Sequence, residues 1–141
     1  MQRLPLQGWA LSCLLGLGAV SACVPVSEID ATLVPPGLWG GDRASLLIDA
    51  AGARIEFDCG AASLEGPLKS DAQGRFASRG EYEDVAGGPQ PGDAPPSTRA
   101  ARFEGRITGD ILDLSMHVAD DPVPRRYRMI RGQRIKLVRC L

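Results

Sequence analysis

One short stretch of the chain places a carboxylate, a hydroxyl and a histidine at two-residue spacing. Asp113, Ser115 and His117 alternate with apolar residues, so on a β-strand the three polar side chains share one face. Such a row can hold a proton relay, but the solvated face of an ordinary strand has the same pattern. His117 is the only histidine, and the chain has no Gly-x-Ser-x-Gly motif to present a nucleophilic serine. We therefore expect no catalytic residues, and a hydrolase that uses His117 is the less favoured alternative.

Other groups that could do chemistry lack partners. The carboxylate pairs Glu81 and Glu83, and Asp120 and Asp121, are in or near predicted loops, with no recognisable second group for hydrolysis. No phosphate-binding loop is present, because Gly87-Gly88 is followed by proline. With a single histidine and no Cys-x-x-Cys spacing, the sequence predicts neither a metal site nor a cofactor.

The charge of the chain is nearly balanced except at its C-terminal end. Lysine and arginine number 16 and acidic residues 17, and this balance makes nucleic acid an unexpected partner. Residues 125–141, however, contain seven basic residues and no acid. Four of these are predicted to form a basic patch on the last hairpin: Arg126, Arg128, Arg134 and Lys136. Such a patch can bind anionic lipid or an acidic envelope protein. The alternative is a charged strand edge that prevents aggregation.

The N-terminal residues resemble the signal of a bacterial lipoprotein. Arg3 precedes an apolar run over residues 4–20, and Val20-Ser21-Ala22-Cys23 resembles the lipobox. The resemblance implies that residues 1–22 are a signal peptide and that Cys23 becomes the acylated N-terminus. Two or three acyl chains would make the membrane anchor stable. An ordinary secretory signal is the alternative.

A flexible tether is expected between the anchor and the folded domain. Residues 23–36 contain three prolines and show no clear period, so they can extend away from the membrane. Val24, rather than aspartate, follows the lipidated cysteine, which by the lipoprotein resemblance favours the outer membrane. We expect the protein to face the periplasm.

Two cysteines remain after the signal and the anchor are set aside. In an oxidising compartment we predict that Cys59 and Cys140 form a disulfide. Cys59 shares the parity of Ile55 and Phe57, so its side chain is expected to face the core. The bond would tie the second predicted strand to the last one. Two free buried thiols are the alternative.

Residues 37–141 have the pattern of an all-β domain. Short alternating segments are separated by turn residues, and the prediction is an antiparallel up-and-down meander of about eight strands, closed as a barrel. Residues 84–98, with four prolines, are predicted to be a surface loop, or alternatively a lid or partner-binding loop. The predicted strands cover residues 45–49, 54–59, 62–64, 75–82, 101–107, 112–118, 126–129 and 134–141.

Two families share features with this pattern. Gly37-Leu38-Trp39, at the entrance to the meander, resembles the Gly-x-Trp opening of lipocalins and related calycins, in which the tryptophan packs across the base of the barrel. The lipobox, small barrel and late cysteine also resemble periplasmic lipoprotein inhibitors of c-type lysozyme. Glu56-Phe57-Asp58-Cys59 is only loosely similar to their Tyr-x-Cys motif, and their Ser-Gly-Ala-Arg-Tyr loop is absent. We expect a non-enzymatic binding module of the periplasm; a small carrier of an apolar ligand is the alternative.

Overall fold

The computed structural model describes residues 31–84, 97–138 and 140, which form β-strands and connections. In this part of the chain there is no helix, and therefore none that could span a membrane. The signal peptide, Cys23 and most of the predicted loop at residues 84–98 lie outside the described residues. The strands are β1 Thr32–Leu33, β2 Gly37–Gly41, β3 Ala44–Ile48, β4 Ala53–Phe57, β5 Gly60–Leu64, β6 Lys69–Ser70, β7 Arg75–Asp84, β8 Ser97–Thr108, β9 Ile111–Val118 and β10 Arg125–Arg131.

Eight of these strands form a closed antiparallel barrel, which confirms the predicted fold class. Their order around the barrel is β10-β2-β3-β4-β5-β7-β8-β9, so neighbours in sequence are neighbours in space. The barrel closes where Ile130 lies opposite Gly40 and Arg131 lies opposite Trp39. Closure pairs the two edges of the meander with each other, so neither remains open.

The prediction that residues 134–141 form the closing strand is wrong, because β10 and β2 close the barrel. Residues 133–138 form no strand, and they cross the outside of the barrel instead. A Cβ on Gly40 would collide with the backbone oxygen of Gln133 and approach the Ile135 side chain, so the chain passes directly over β2. It then reaches the turn after β4, where the amide of Val138 donates to Asp58 at 2.8 Å. We call residues 133–138 and 140 the strap.

The Cys59–Cys140 disulfide is present, but it joins different elements from those predicted. Cys59 lies in the turn between β4 and β5 and is exposed, so the prediction that it faces the core is wrong. The alternating pattern ends at Phe57, and the turn that follows breaks the two-residue period. The bond therefore fastens the end of the strap to a turn of the barrel.

The interior of the barrel is filled by inward-facing side chains. Gly105 lets the barrel pack closely, since a Cβ at this position would overlap the ring of Phe76 on the adjacent strand. At one end, the guanidinium group of Arg131 lies 4.3 Å from the centroid of the Trp39 ring. We call this end the base. The largest fully buried side chains are Trp39, Phe103, Leu46, Ile48, Ile55, Leu112, Leu114, Met116 and Met129.

The folded unit begins before Gly37, the predicted domain boundary. β1 pairs with β6 in a small separate sheet. The following residue, Val34, is buried, and its amide donates to the carbonyl of Leu68 at 2.9 Å. The end of the predicted tether is therefore attached to the barrel.

Candidate functional site

The structure places the polar row of β9 on the outside of the barrel. His117 is exposed and lies opposite Arg102, while Ser115 lies opposite Glu104. Asp113 accepts a hydrogen bond from Arg128 on β10 at 3.1 Å. No hydrogen bond joins these three polar side chains to one another within the described ranges. The three side chains therefore form separate contacts and not a hydrogen-bonded row.

A broad basic surface lies around this row, on the outward side of β7 to β10. Two pairs of arginines face each other directly across β7 and β8: Arg75 with Arg106, and Arg79 with Arg102. β10 continues the same surface beyond β9. All six of its arginines are exposed. We call the surface the arginine face; its arginines are Arg75, Arg79, Arg102, Arg106, Arg126 and Arg128.

Only half of the arginines of this face form ion pairs within the described part of the chain. Asp71 pairs with Arg75 at 2.9 Å, Glu104 with Arg102 at 3.1 Å, and Asp113 with Arg128 at 3.1 Å. The other three arginines have no ion-pair partner among the residues that the structure describes; they are Arg79, Arg106 and Arg126. Further carboxylates lie at the same surface: Glu81 and Glu83 project outward from β7, and Asp42 lines a groove with Arg126 and Arg128. The positive charge that remains is therefore local, at the two arginine pairs across β7 and β8.

A shallow groove of about 670 Å³ crosses the arginine face near the base of the barrel. Arg75 and Arg106 line it, with Lys69 from β6. Ala77, Phe76 and Gly105 also line it, which makes much of the groove apolar, and the acidic residues Asp71, Glu104 and Asp113 line it as well. Ala31, the first described residue, lies at the same groove. The N-terminal segment therefore leaves the barrel beside the arginine face.

The four residues of the predicted basic patch do not share one face. Arg126 and Arg128 point outward from β10 and belong to the arginine face. Arg134 and Lys136 are exposed on the strap, which lies over the opposite side of the barrel. The sequence predicts a hairpin because apolar and other residues alternate in both segments. In the structure, the apolar residues of the second segment pack on the outer surface of the barrel, and the segment is not part of the sheet.

The strap covers the outside of the barrel on the side opposite the arginine face. Ile135 and Leu137 turn towards β4 and β5 and line a groove of about 610 Å³. Asp58 holds the end of the strap: its carboxylate accepts the amide of Val138 and pairs with Arg43. The Val138 hydrogen bond, followed by the effect of Arg43, lowers the pKa of Asp58 below its usual value.

The end of the barrel opposite the base, which we call the mouth, contains a polar and aromatic cluster. Asp121 joins two arginines, accepting from Arg99 at 2.7 Å and from Arg125 at 2.8 Å. Both hydrogen bonds lower the pKa of the Asp121 carboxyl, and the bond from Arg99 has the larger effect. The Arg125 guanidinium also stacks on Tyr82 at 4.5 Å, and burial raises the pKa of the nearby Tyr127. Asp121, Arg99 and Arg125 thus satisfy one another's charges within the described part of the mouth.

The remaining candidate groups stay apart. Glu81 and Glu83 project from the outward side of β7, and Asp120 lies in the turn after β9. Among the described residues, no three His, Cys, Asp or Glu side chains gather to hold a metal ion.

Comparisons with protein-family models, with curated proteins and with solved structures find no match to this chain. Its function is therefore inferred from its own residues and their geometry. Sequence reasoning missed four arginines of β7 and β8, because each strand alone carries both basic and acidic residues. They are Arg75, Arg79, Arg102 and Arg106. Only the register between the two strands brings like charges together.

Proposed function

We propose that this protein is a lipid-anchored, non-enzymatic binding module of the bacterial envelope that binds an anionic component through its outer surface. The observation that carries the proposal is the arginine face, where three of six exposed arginines lack an acidic partner within the described part of the chain. Exposed charges of one sign steer an oppositely charged partner towards a surface and orient it there.

The filled interior favours a surface function over that of a carrier. A carrier of an apolar ligand needs an internal cavity, but eight-stranded barrels are narrow enough for side chains to fill them. Here Trp39, Phe103 and Met129 are fully buried inside the barrel. The described grooves of substantial size lie on the outside.

The proposed anchor rests on the lipobox at residues 20–23, in a chain that also has a disulfide. A structural disulfide is typical of an oxidising compartment such as the periplasm. Replacing the cysteine, Cys23→Ser, should abolish incorporation of a labelled fatty acid and leave residues 1–22 attached, so the variant migrates as a longer precursor than the mature protein. Fatty-acid labelling of the variant equal to that of the wild type would contradict the lipid anchor.

Binding to isolated envelope membranes tests the arginine face. The probe is the unlipidated chain from residue 23 with Cys23→Ser, which contains every strand of the barrel. The face variant carries Arg79→Gln, Arg106→Gln and Arg126→Gln. The control variant loses the same charge on the other side of the barrel, through Arg54→Gln, Arg134→Gln and Lys136→Gln.

We expect wild type and the control variant to bind the membranes at low salt, and the face variant to lose most of that binding. Salt should weaken the interaction, because the Debye length falls from about 10 Å at 0.1 M to about 3 Å at 1 M. Equal binding by all three proteins, or no binding by any, would refute the proposal.

A further inference from the structure

Building on the proposed function, we infer that the arginine face docks on the phosphate groups of anionic phospholipids in the same leaflet that holds the lipid anchor. The barrel would then lie with this side against the membrane. Three features support this orientation: the exit of the chain, the pairing of like charges, and the shape of the groove.

The path of the chain brings the arginine face close to the membrane. Ala31 lines the groove of this face together with Arg75 and Arg106. From Ala31 to Cys23 there are eight residues, which span at most about 25 Å when fully extended as polyproline II. An anchored barrel is therefore held close to the lipid surface, with the arginine face next to its attachment point. Holding the face there raises its effective concentration at the headgroups without any further contact.

The cross-strand arginine pairs fit a phosphate-covered surface. Like charges directly opposite each other destabilise an antiparallel pair. Here Arg75 faces Arg106 and Arg79 faces Arg102, and in each pair only one member has an acidic partner among the described residues. A phosphate between two guanidinium groups removes this repulsion, and arginine forks bind phosphate oxygens through two parallel hydrogen bonds.

The groove can also contact parts of a phospholipid other than its phosphate. Its volume of about 670 Å³ is in the range of small-molecule sites. Three carboxylates, from Asp71, Glu104 and Asp113, line the groove. Its basic side chains, Lys69, Arg75 and Arg106, lie beside the small apolar side chains of Ala31 and Ala77. A phospholipid headgroup presents the same combination, with an anionic phosphate attached to an apolar glycerol and acyl region.

Sedimentation with synthetic vesicles tests the inference without any envelope protein. The unlipidated wild type, the face variant and the control variant are each mixed with vesicles of phosphatidylcholine alone, or with about one third phosphatidylglycerol. A basic side chain near an anionic surface contributes roughly fivefold to the binding constant, so loss of three should weaken binding about 100-fold. We expect wild type and the control variant to bind only the anionic vesicles, and the face variant to bind neither kind.

The outcomes separate this inference from the proposed function. Binding to isolated envelope membranes without binding to anionic vesicles would overturn lipid docking and assign the arginine face to an acidic protein. Equal weakening by the face and control variants would also overturn it, since net charge alone would then explain the binding. Circular dichroism of each variant confirms that the barrel is folded before its binding is compared.

Discussion

Removing the disulfide should lower the stability of the barrel while leaving its native structure intact. The perturbation is the double substitution Cys59→Ser and Cys140→Ser in the unlipidated chain. The bond joins an exposed turn to the strap, and neither cysteine belongs to a strand of the barrel. The barrel itself is closed independently by the pairing of β10 with β2.

The size of the effect follows from the length of the loop that the bond closes. A sequence separation of 81 gives about 4.5 kcal/mol on the chain-entropy model, which acts by restricting the unfolded chain. Without the bond the strap can also detach from the native barrel, and this added freedom offsets part of the loss. We therefore expect the free energy of unfolding to fall by about 2 to 4 kcal/mol.

Urea unfolding followed by tryptophan fluorescence measures this difference. In the chain from residue 23, Trp39 is the sole tryptophan and lies fully buried in the barrel. Its emission before unfolding should match that of wild type, and wild type treated with a reductant should unfold like the variant. A stability change below about 0.5 kcal/mol would refute the loop-closure reasoning. A red-shifted emission without urea would show instead that the strap is needed to close the barrel.

Three further predictions concern single side chains. Gly80→Ala should lower the free energy of unfolding by about 3 kcal/mol, because the added Cβ would collide with a backbone oxygen of β5. Gly109→Ala, in an open turn at φ 60°, should lower it by only about 1 kcal/mol. Equal urea midpoints for the two variants would contradict this. Ion pairing depresses the pKa of Asp121 in the folded state, so its contribution to stability is present above about pH 4 and is lost as pH falls through the lowered pKa. Asp121→Asn should therefore reduce the loss of stability between pH 7 and pH 3, and an unchanged pH profile would count against the ion pairs. Arg131→Met should remove about 1 kcal/mol and alter the emission of Trp39, because the guanidinium no longer lies over its ring; unaltered emission would disprove the contact.

The sequence predicted the barrel because its strands face solvent on one side and a packed core on the other. In β9, Leu112, Leu114 and Met116 are buried at the positions that the two-residue period predicts. The two cysteines were paired correctly, since only one pairing was open to them. These features depend on local pattern and count, which a sequence carries directly.

Features that depend on pairing between distant segments were harder to predict. Residues 134–138 alternate like a strand, but β2 occupies the position beside β10, and the strap packs its apolar residues on the outside of the barrel. The sequence does not predict β2 as a strand, because Gly37, Gly40 and Gly41 lack the side chains that are typical of strands. The arginine face was missed for a related reason: it exists only through the register of β7 with β8.

The pairing of β2 with β10 has a consequence for the order in which the protein assembles. Synthesis delivers the N-terminal partner first, and about 80 residues must follow before its mate at residues 125–131 exists. Contacts so remote in sequence form slowly, and during that interval a waiting strand edge invites association with other chains. Three glycines among the five residues of β2 give it little tendency to adopt an extended form alone. This low propensity reduces the tendency of residues 37–41 to pair with other chains before the final strand is available.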